Sequence, residues 1–163
     1  MLLFKRIFLL IGILPLLACG FEPVYGVDKP VNRLLGNVDI KVYSGRNYFE
    51  LRDKLIQRLG VSGSDALYLI KYEINVTPKS LTISKDNDVT RYILNGDTDF
   101  KIINKLSKKV VYENSISSSV AYSSTAGTYA TSIAERDANV RLSWDMADRI
   151  VTLLLITVEE WLE

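Results

Sequence analysis

The chain has 163 residues, 48% of them hydrophobic and 24% charged, with 20 Lys and Arg against 19 Asp and Glu. That length suits one domain with a real core and is too short for two, and no global basic field points to nucleic acid. Histidine is absent and Cys19 is the only cysteine, which excludes His- and Cys-based catalytic dyads and triads and the usual zinc and copper sites.

The chain opens with Lys5 and Arg6, an apolar run from Ile7 to Leu17, and then Ala18-Cys19. The run is roughly 11 residues against the roughly 20 needed to cross a bilayer, so residues 1–18 read as an export signal that is removed. A small residue followed at once by cysteine resembles the bacterial lipobox, in which the cysteine sulfur receives a diacylglycerol. Cys19 is then the lipidated first residue of the mature chain. Two or three acyl chains, at about 0.8 kcal/mol per buried methylene, make a lasting anchor without a membrane-spanning helix. The alternative is an ordinary secretory signal with Cys19 an incidental thiol. Gly20 follows, where an aspartate would retain a lipoprotein in the inner membrane, and this favours the outer membrane. Losing Lys5 and Arg6 leaves a mature net charge near minus one.

Residues 19–35 contain Pro23, Gly26 and Pro30 and read as a tether, leaving 36–163 as a single domain. Val38, Ile40 and Val42 alternate with Asp39 and Lys41, the period of a half-buried strand. Asn47 and Glu50 have the spacing of a capping box, and Tyr48, Leu51, Leu55 and Leu59 share a helical face that stops at Gly60. Tyr68, Ile70, Tyr72, Ile74 and Val76 then form one face of a long strand, with Lys71, Glu73, Asn75 and Thr77 opposite, and Pro78 is expected to end it. Residues 79–88 read as a polar loop. Tyr92, Leu94, Phe100 and Ile102 define a third strand, with Arg91, Asn95, Asp97, Asp99 and Lys101 opposite and Gly96 marking a bulge or bend. After a turn over Asn104 to Lys108, Val110, Tyr112, Ile116, Val120 and Tyr122 continue the pattern in a fourth strand, antiparallel to the third.

Ser115 to Ser132, rich in Ser, Thr, Ala and Gly, reads as a strand end plus a loop. From Ile133 the period becomes helical, with Ala134, Ala138, Leu142, Met146, Ile150, Leu153, Val158 and Trp161 on one stripe. Leu153 to Ile156 is apolar nearly all round, so it should pack on the sheet on one side and on a partner or the first helix on the other. The order β-α-β-β-β-α gives an α+β two-layer sandwich: a mainly antiparallel four-stranded sheet with both helices on the face of the even-numbered apolar residues. The other sheet face is polar and can meet water or the polar interior of another protein.

Cys19-Gly20-Phe21-Glu22-Pro23-Val24-Tyr25-Gly26 resembles the Cys-Gly-Phe-Arg-Pro-Leu-Tyr-Gly start of the LPS-assembly lipoprotein family LptE in its alphaproteobacterial form. Tyr129-Ala130, followed by Ala134-Glu135-Arg136-Asp137-Ala138, is similar to that family's segment entering the last helix. Glu22 stands where the family carries a basic residue. The resemblance implies a non-enzymatic lipoprotein with no cofactor beyond the lipid on Cys19. Such a protein sits as a plug within an LptD-type outer-membrane β-barrel and assists barrel assembly and delivery of lipopolysaccharide to the outer leaflet. A polar sheet face suits the polar lumen of such a barrel. The alternatives are an auxiliary periplasm-facing lipoprotein of another lipid transport system without a barrel, and a carboxylate-dependent hydrolase displayed on the membrane.

Lys101, Lys105, Lys108 and Lys109 surround the hairpin turn and, with Arg91, are candidates for binding the phosphates and carboxylates of lipopolysaccharide. The other reading is a solvated tip whose lysines discourage edge aggregation. Asp97 and Asp99 share a strand face at a spacing that can serve acid–base work or a hard cation, but read better as a solvated pair. Glu135, Arg136 and Asp137 read as structural charges in the first turn of the last helix. Tyr68, Tyr72, Tyr92 and Tyr112 read as core packing, and Tyr129 as packing at the helix start or meeting a partner.

Overall fold

Alternation of side chains along three long strands builds the domain. The computed structural model describes residues 32, 34–83, 89–124 and 127–162; the expected export signal, Cys19, most of the expected tether and residues 84–88 lie outside these. The elements are β1 (Val38–Ile40), α1 (Arg46–Leu59), β2 (Tyr68–Ile83), β3 (Val89–Asn104), β4 (Val110–Ser123) and α2 (Thr128–Trp161). One sheet runs β1-β2-β3-β4. β1 is parallel to β2, as the α1 crossover requires, and the other pairs are antiparallel.

The register places even-numbered residues of all three long strands on the helix side. Ile70 stands opposite Ile102 and Tyr112, and Ile74 opposite Thr98 and Ile116. Tyr68, Ile70, Tyr72, Leu94, Phe100 and Ile102 are buried there with Leu51, Leu55 and Leu59 of α1 and Ala138, Leu142, Met146, Ile150 and Leu154 of α2. Each large apolar side chain buried this way contributes about 2 kcal/mol. The two helices lie side by side. Asn47 Nδ2 donates to Asn139 Oδ1 at 3.2 Å, and Arg58 pairs with Asp148 at 3.3 Å. Near the lower ends of strands and helix, Trp161 meets Tyr68 and Tyr112 with ring centroids 5.6 and 6.1 Å apart.

Several sequence expectations are corrected. Pro78 does not end β2, which runs on to Ile83. Tyr68 N–H donates to the Asn37 carbonyl and the Ile70 carbonyl accepts from Lys41 N–H, so even-numbered residues of β2 turn their backbone groups away from β3. β1 ends at Ile40, so at Pro78 the missing N–H falls on an open edge and costs no ladder bond. Gly96 marks no bulge, because the register passes through it unshifted. It marks the closest approach of α2: a Cβ there would meet Met146 Sδ at 2.8 Å and Leu142 Cδ2 at 3.1 Å. Buried Thr98, two residues on, donates to the same Met146 sulfur at 3.2 Å.

At the N-terminus of α1 the preceding residue is Gly45, with no side-chain cap; Asn47 is spent on the contact with α2, so the capping box is absent. α2 begins at Thr128, five residues before the sequence period announces it, and has no acidic residue in its first turn. Glu135, Arg136 and Asp137 therefore lie further in. Leu154 takes the buried place assigned to Leu153, which is half-buried, and Ile156 is 71% exposed. The difference arises because 3.6 residues per turn carries a stripe sideways over a helix this long. Leu34, within the expected tether, is fully buried and belongs to the core.

Gly96→Val is expected to destabilise the domain by about 1–3 kcal/mol through overpacking. Gly63→Ala, whose added methyl meets nothing within 4 Å, should stay within about 0.5 kcal/mol of the parent in thermal unfolding. Equal melting of the two variants would contradict the close helix approach. A second expectation concerns alkaline pH. Burial pushes the Tyr72 phenol up to about 12 from 10.0, against a lowering by Arg52 and with smaller raising effects of Tyr43 and Tyr48. The fold thus favours the neutral phenol: the stabilisation is complete below pH 10 and is lost as pH rises from 10 to about 12. Denaturant midpoints measured across that range should fall more steeply for the parent than for Tyr72→Phe.

Candidate functional site

The face of the sheet away from the helices is a lattice of polar cross-strand rungs. Lys71, Lys101 and Glu113 form one, Glu73, Asp99 and Ser115 the next, then Asn75, Asp97 and Ser117, and then Thr77, Asn95 and Ser119. None of these side chains is buried. Ser117 Oγ donates to Asp97 Oδ1 at 2.7 Å. Asp99 faces Glu73 across the strands, a like-charge contact tolerated because water screens it. A shallow depression of about 580 Å³ lies over the two charged rungs, with Tyr43 at its edge. Among the described residues no three carboxylates converge on a point that could hold a metal ion. The depression carries mixed charge, two ammonium groups beside three carboxylates, and suits polar contacts more than proton transfer.

The β3–β4 turn is fixed by Asn104, whose side-chain oxygen accepts from Leu106 N–H at 2.9 Å and Ser107 N–H at 3.0 Å. Lys108 adopts φ 61, a left-handed conformation more often left to glycine. The turn is also tied to the body: Lys105 N–H donates to the Leu67 carbonyl at 2.8 Å and Lys105 Nζ pairs with Asp39 at 3.6 Å. Half-exposed as it is, that ion pair is worth at most about 1 kcal/mol. Lys108 and Lys109 are exposed and make no ion pair among the described residues. Leu106 at the tip is 80% exposed.

The structure therefore brings Lys105, Lys108 and Lys109 together at one end, with Lys101 on the adjoining polar face. Arg91 does not join them. It is opposite Ser123 near the far end of β3, ten residues from Lys101, or about 33 Å along the strand. The chain enters the domain at the lysine end, where Gly36 N–H donates to the Leu59 carbonyl and Gly63 N–H to the Gly36 carbonyl. Cys19 lies outside the described residues. Tyr129 is 78% exposed at the start of α2, at the opposite end from the lysine turn.

One polar cluster escaped the sequence reading. Ser118, on the helix side of β4, donates its hydroxyl to Asp145 Oδ2, which also accepts from Arg149 Nε at 2.7 Å. Burial raises the Asp145 carboxyl, but these hydrogen bonds and the Arg149 charge outweigh it and hold the group below its usual value. The Asp145/Arg149 pair was visible as an i,i+4 spacing. Its strand partner was not.

The sequence profile of the LptE family, described as lipopolysaccharide-assembly, matches residues 37–154. An uncharacterized protein of Rickettsia prowazekii is 24% identical over 153 residues, covering 92% of this chain and 95% of its own length. Among solved structures, a lipoprotein of Caulobacter crescentus superposes with TM-score 0.67 at 21% identity, covering 79% of this chain and 96% of that one. Rare lipoprotein B of Shewanella oneidensis gives 0.55 at 14% identity, with 74% and 93% covered. These structural likenesses show the α+β fold alone. With the profile spanning most of the domain, the chain belongs to the LptE family of lipopolysaccharide-assembly proteins.

Proposed function

We propose that the mature chain is an outer-membrane lipoprotein, anchored through lipid on Cys19, that sits in the lumen of an LptD-type β-barrel, helps that barrel assemble, and assists lipopolysaccharide insertion into the outer leaflet. The observation that carries this reading is the uncovered polar sheet face. Four rungs of Lys, Glu, Asp, Asn, Ser and Thr lie on the side away from the helices, which cover the even-numbered apolar residues; Leu69 and Ile103 at one end and Ile93 at the other flank these rungs on the outer face. A surface of this chemistry matches the interior of a large barrel, which is polar where its exterior is apolar. No helix of the described residues is long and apolar enough to cross a membrane, so membrane attachment in this reading falls to the lipid. The protein acts by binding and positioning, without chemistry of its own.

The lysine turn adds the ligand. Lys108 and Lys109 project at the end where the chain enters the domain, and Lys101 extends the positive charge onto the sheet face. Ammonium groups at this spacing are suited to the phosphates and carboxylates of a lipopolysaccharide.

Two measurements test the proposal. Solubilised in mild detergent, the protein should come out in one-to-one complex with a large outer-membrane barrel, and its depletion should hold newly made lipopolysaccharide inside the cell. A preparation free of any barrel would favour the auxiliary periplasm-facing lipoprotein. Lys108→Glu with Lys109→Glu should weaken lipopolysaccharide binding several-fold. Barrel association should persist and stability should stay within about 0.5 kcal/mol, since exposed charges rarely move stability further. Unchanged lipopolysaccharide affinity would leave these lysines as solubility devices.

A further inference from the structure

The two long edges of the sheet are treated differently. On β2, the even-numbered residues from Tyr72 to Ser80 point their backbone groups at the open side. There Pro78 has no N–H to offer, and Ile74 N–H is taken by the Tyr48 hydroxyl at 3.2 Å. Tyr43 packs against Tyr72 and Tyr48 beside this edge, Lys79 stands on it, and the register shifts after Ser80. Proline, lysine and a bulge are devices by which proteins block strand addition.

β4 has no proline or lysine, and its one register shift lies at the very start of the strand, between Val110 and Tyr112. The pairing of Lys71 with Lys101 and of Ile102 with Tyr112 carries the alternation across the sheet, so the odd-numbered residues of β4 present their N–H and C=O groups outward. From Glu113 to Ala121 that row spans about 27 Å. The segment from Val111 to Ser123 contains no Pro, Lys or Arg, and its register is unbroken from Tyr112 to Ser123. Of the outward N–H groups only that of Ser115 finds a partner among the described residues, the Asn114 side chain at 2.8 Å. Alongside runs a groove between the edge and the flank of α2. Two depressions of about 590 and 560 Å³ meet there, with Ile116 and Leu153 as apolar floor and Asp145, Arg149 and Thr152 as wall.

We infer that β4 is a docking edge for an extended segment of a partner polypeptide, which adds to the sheet as a fifth long strand. An unpaired backbone row is satisfied along its length only by another extended backbone. The groove sets the side-chain chemistry: residues turned toward α2 are apolar, resting on Ile116 and Leu153, and those turned the other way are polar, beside Ser115, Ser117 and Ser119. Asp145 pairs with Arg149 and Asp148 with Arg58, which among the described residues leaves Asp97 as the one carboxylate of the groove without a cation, so selection rests mainly on backbone and period. Strand addition at β4 does not depend on the partner being a barrel.

The probe is a synthetic peptide with the sequence of residues 91–103. Moved from the inner to the outer side of β4, a β3 strand keeps its apolar even-numbered residues toward the helices and turns its odd-numbered backbone groups toward those of β4. Added to the full chain purified in mild detergent, it should slow amide exchange at Glu113, Ser117, Ser119 and Ala121 at least tenfold. Val76 and Ser80 on the β2 edge should not respond. Ser119→Pro deletes one outward N–H and leaves the ladder bonds of Ser118 and Val120 to β3 in place, so it should weaken the peptide at least tenfold with an unchanged melting temperature. If that variant melts early, Ala121→Lys, which puts on β4 the residue that Lys79 supplies on β2, serves instead and should weaken the peptide as well. Protection on neither edge, equal protection on both, peptide affinity unmoved by both substitutions, or a chain that dimerises through β4 without peptide would overturn the inference.

Discussion

Everything in this domain depends on one constraint, the shared parity of three long strands. Even-numbered residues of β2, β3 and β4 all face the helices because the strands pair without a slip across their central rungs. A shift of one residue in any strand would carry its apolar set to the polar side and its charges into the core. The parity also fixes the backbone. It decides that Pro78 loses nothing, that Tyr48 can cap Ile74, and that the outward groups of β4 belong to odd-numbered residues.

The helices read that parity in detail. α2 approaches most closely over Gly96 and Thr98, where small side chains on β3 leave room for Met146 and Leu142. Toward the ends of the strands the gap is filled by larger groups. Tyr92 and Tyr122 stack at 5.2 Å at one end, and Trp161 closes the other against Tyr68 and Tyr112. Small residues at the centre and aromatic rings at the ends fit a long helix to a twisted sheet, since the separation between the layers grows away from the crossing point.

With the main apolar layers turned inward, three of the remaining surfaces differ in chemistry. The outer sheet face offers side-chain polarity, the lysine turn offers positive charge at the end where the chain enters, and the β4 edge offers backbone hydrogen bonds. Three surfaces of different chemistry on one domain leave room for three different kinds of contact at once.

The fold class and most of the core were legible in the sequence, because strand alternation and helical stripes are local patterns and burial follows them. Tyr72, Leu94, Phe100 and Ile102 were placed on the correct face by spacing alone, and the polar rungs on the other face followed from the same count. The lysine turn was also readable, as lysines clustered at a hairpin. Tertiary structure decided what depended on neighbours distant in sequence. Pro78 reads as a strand end until β1 proves too short to reach it, and Gly96 reads as a bulge until α2 is laid over it. Asn47 reads as a cap until Asn139 claims its side chain. Arg91 and the lysines look like one cluster in sequence, but an extended strand carries residues about 3.3 Å apart per step and so separates them. The contrast between the two sheet edges was hidden for the same reason. Which backbone groups remain unpaired is set by strand order, and strand order is a property of long-range pairing that no local period encodes.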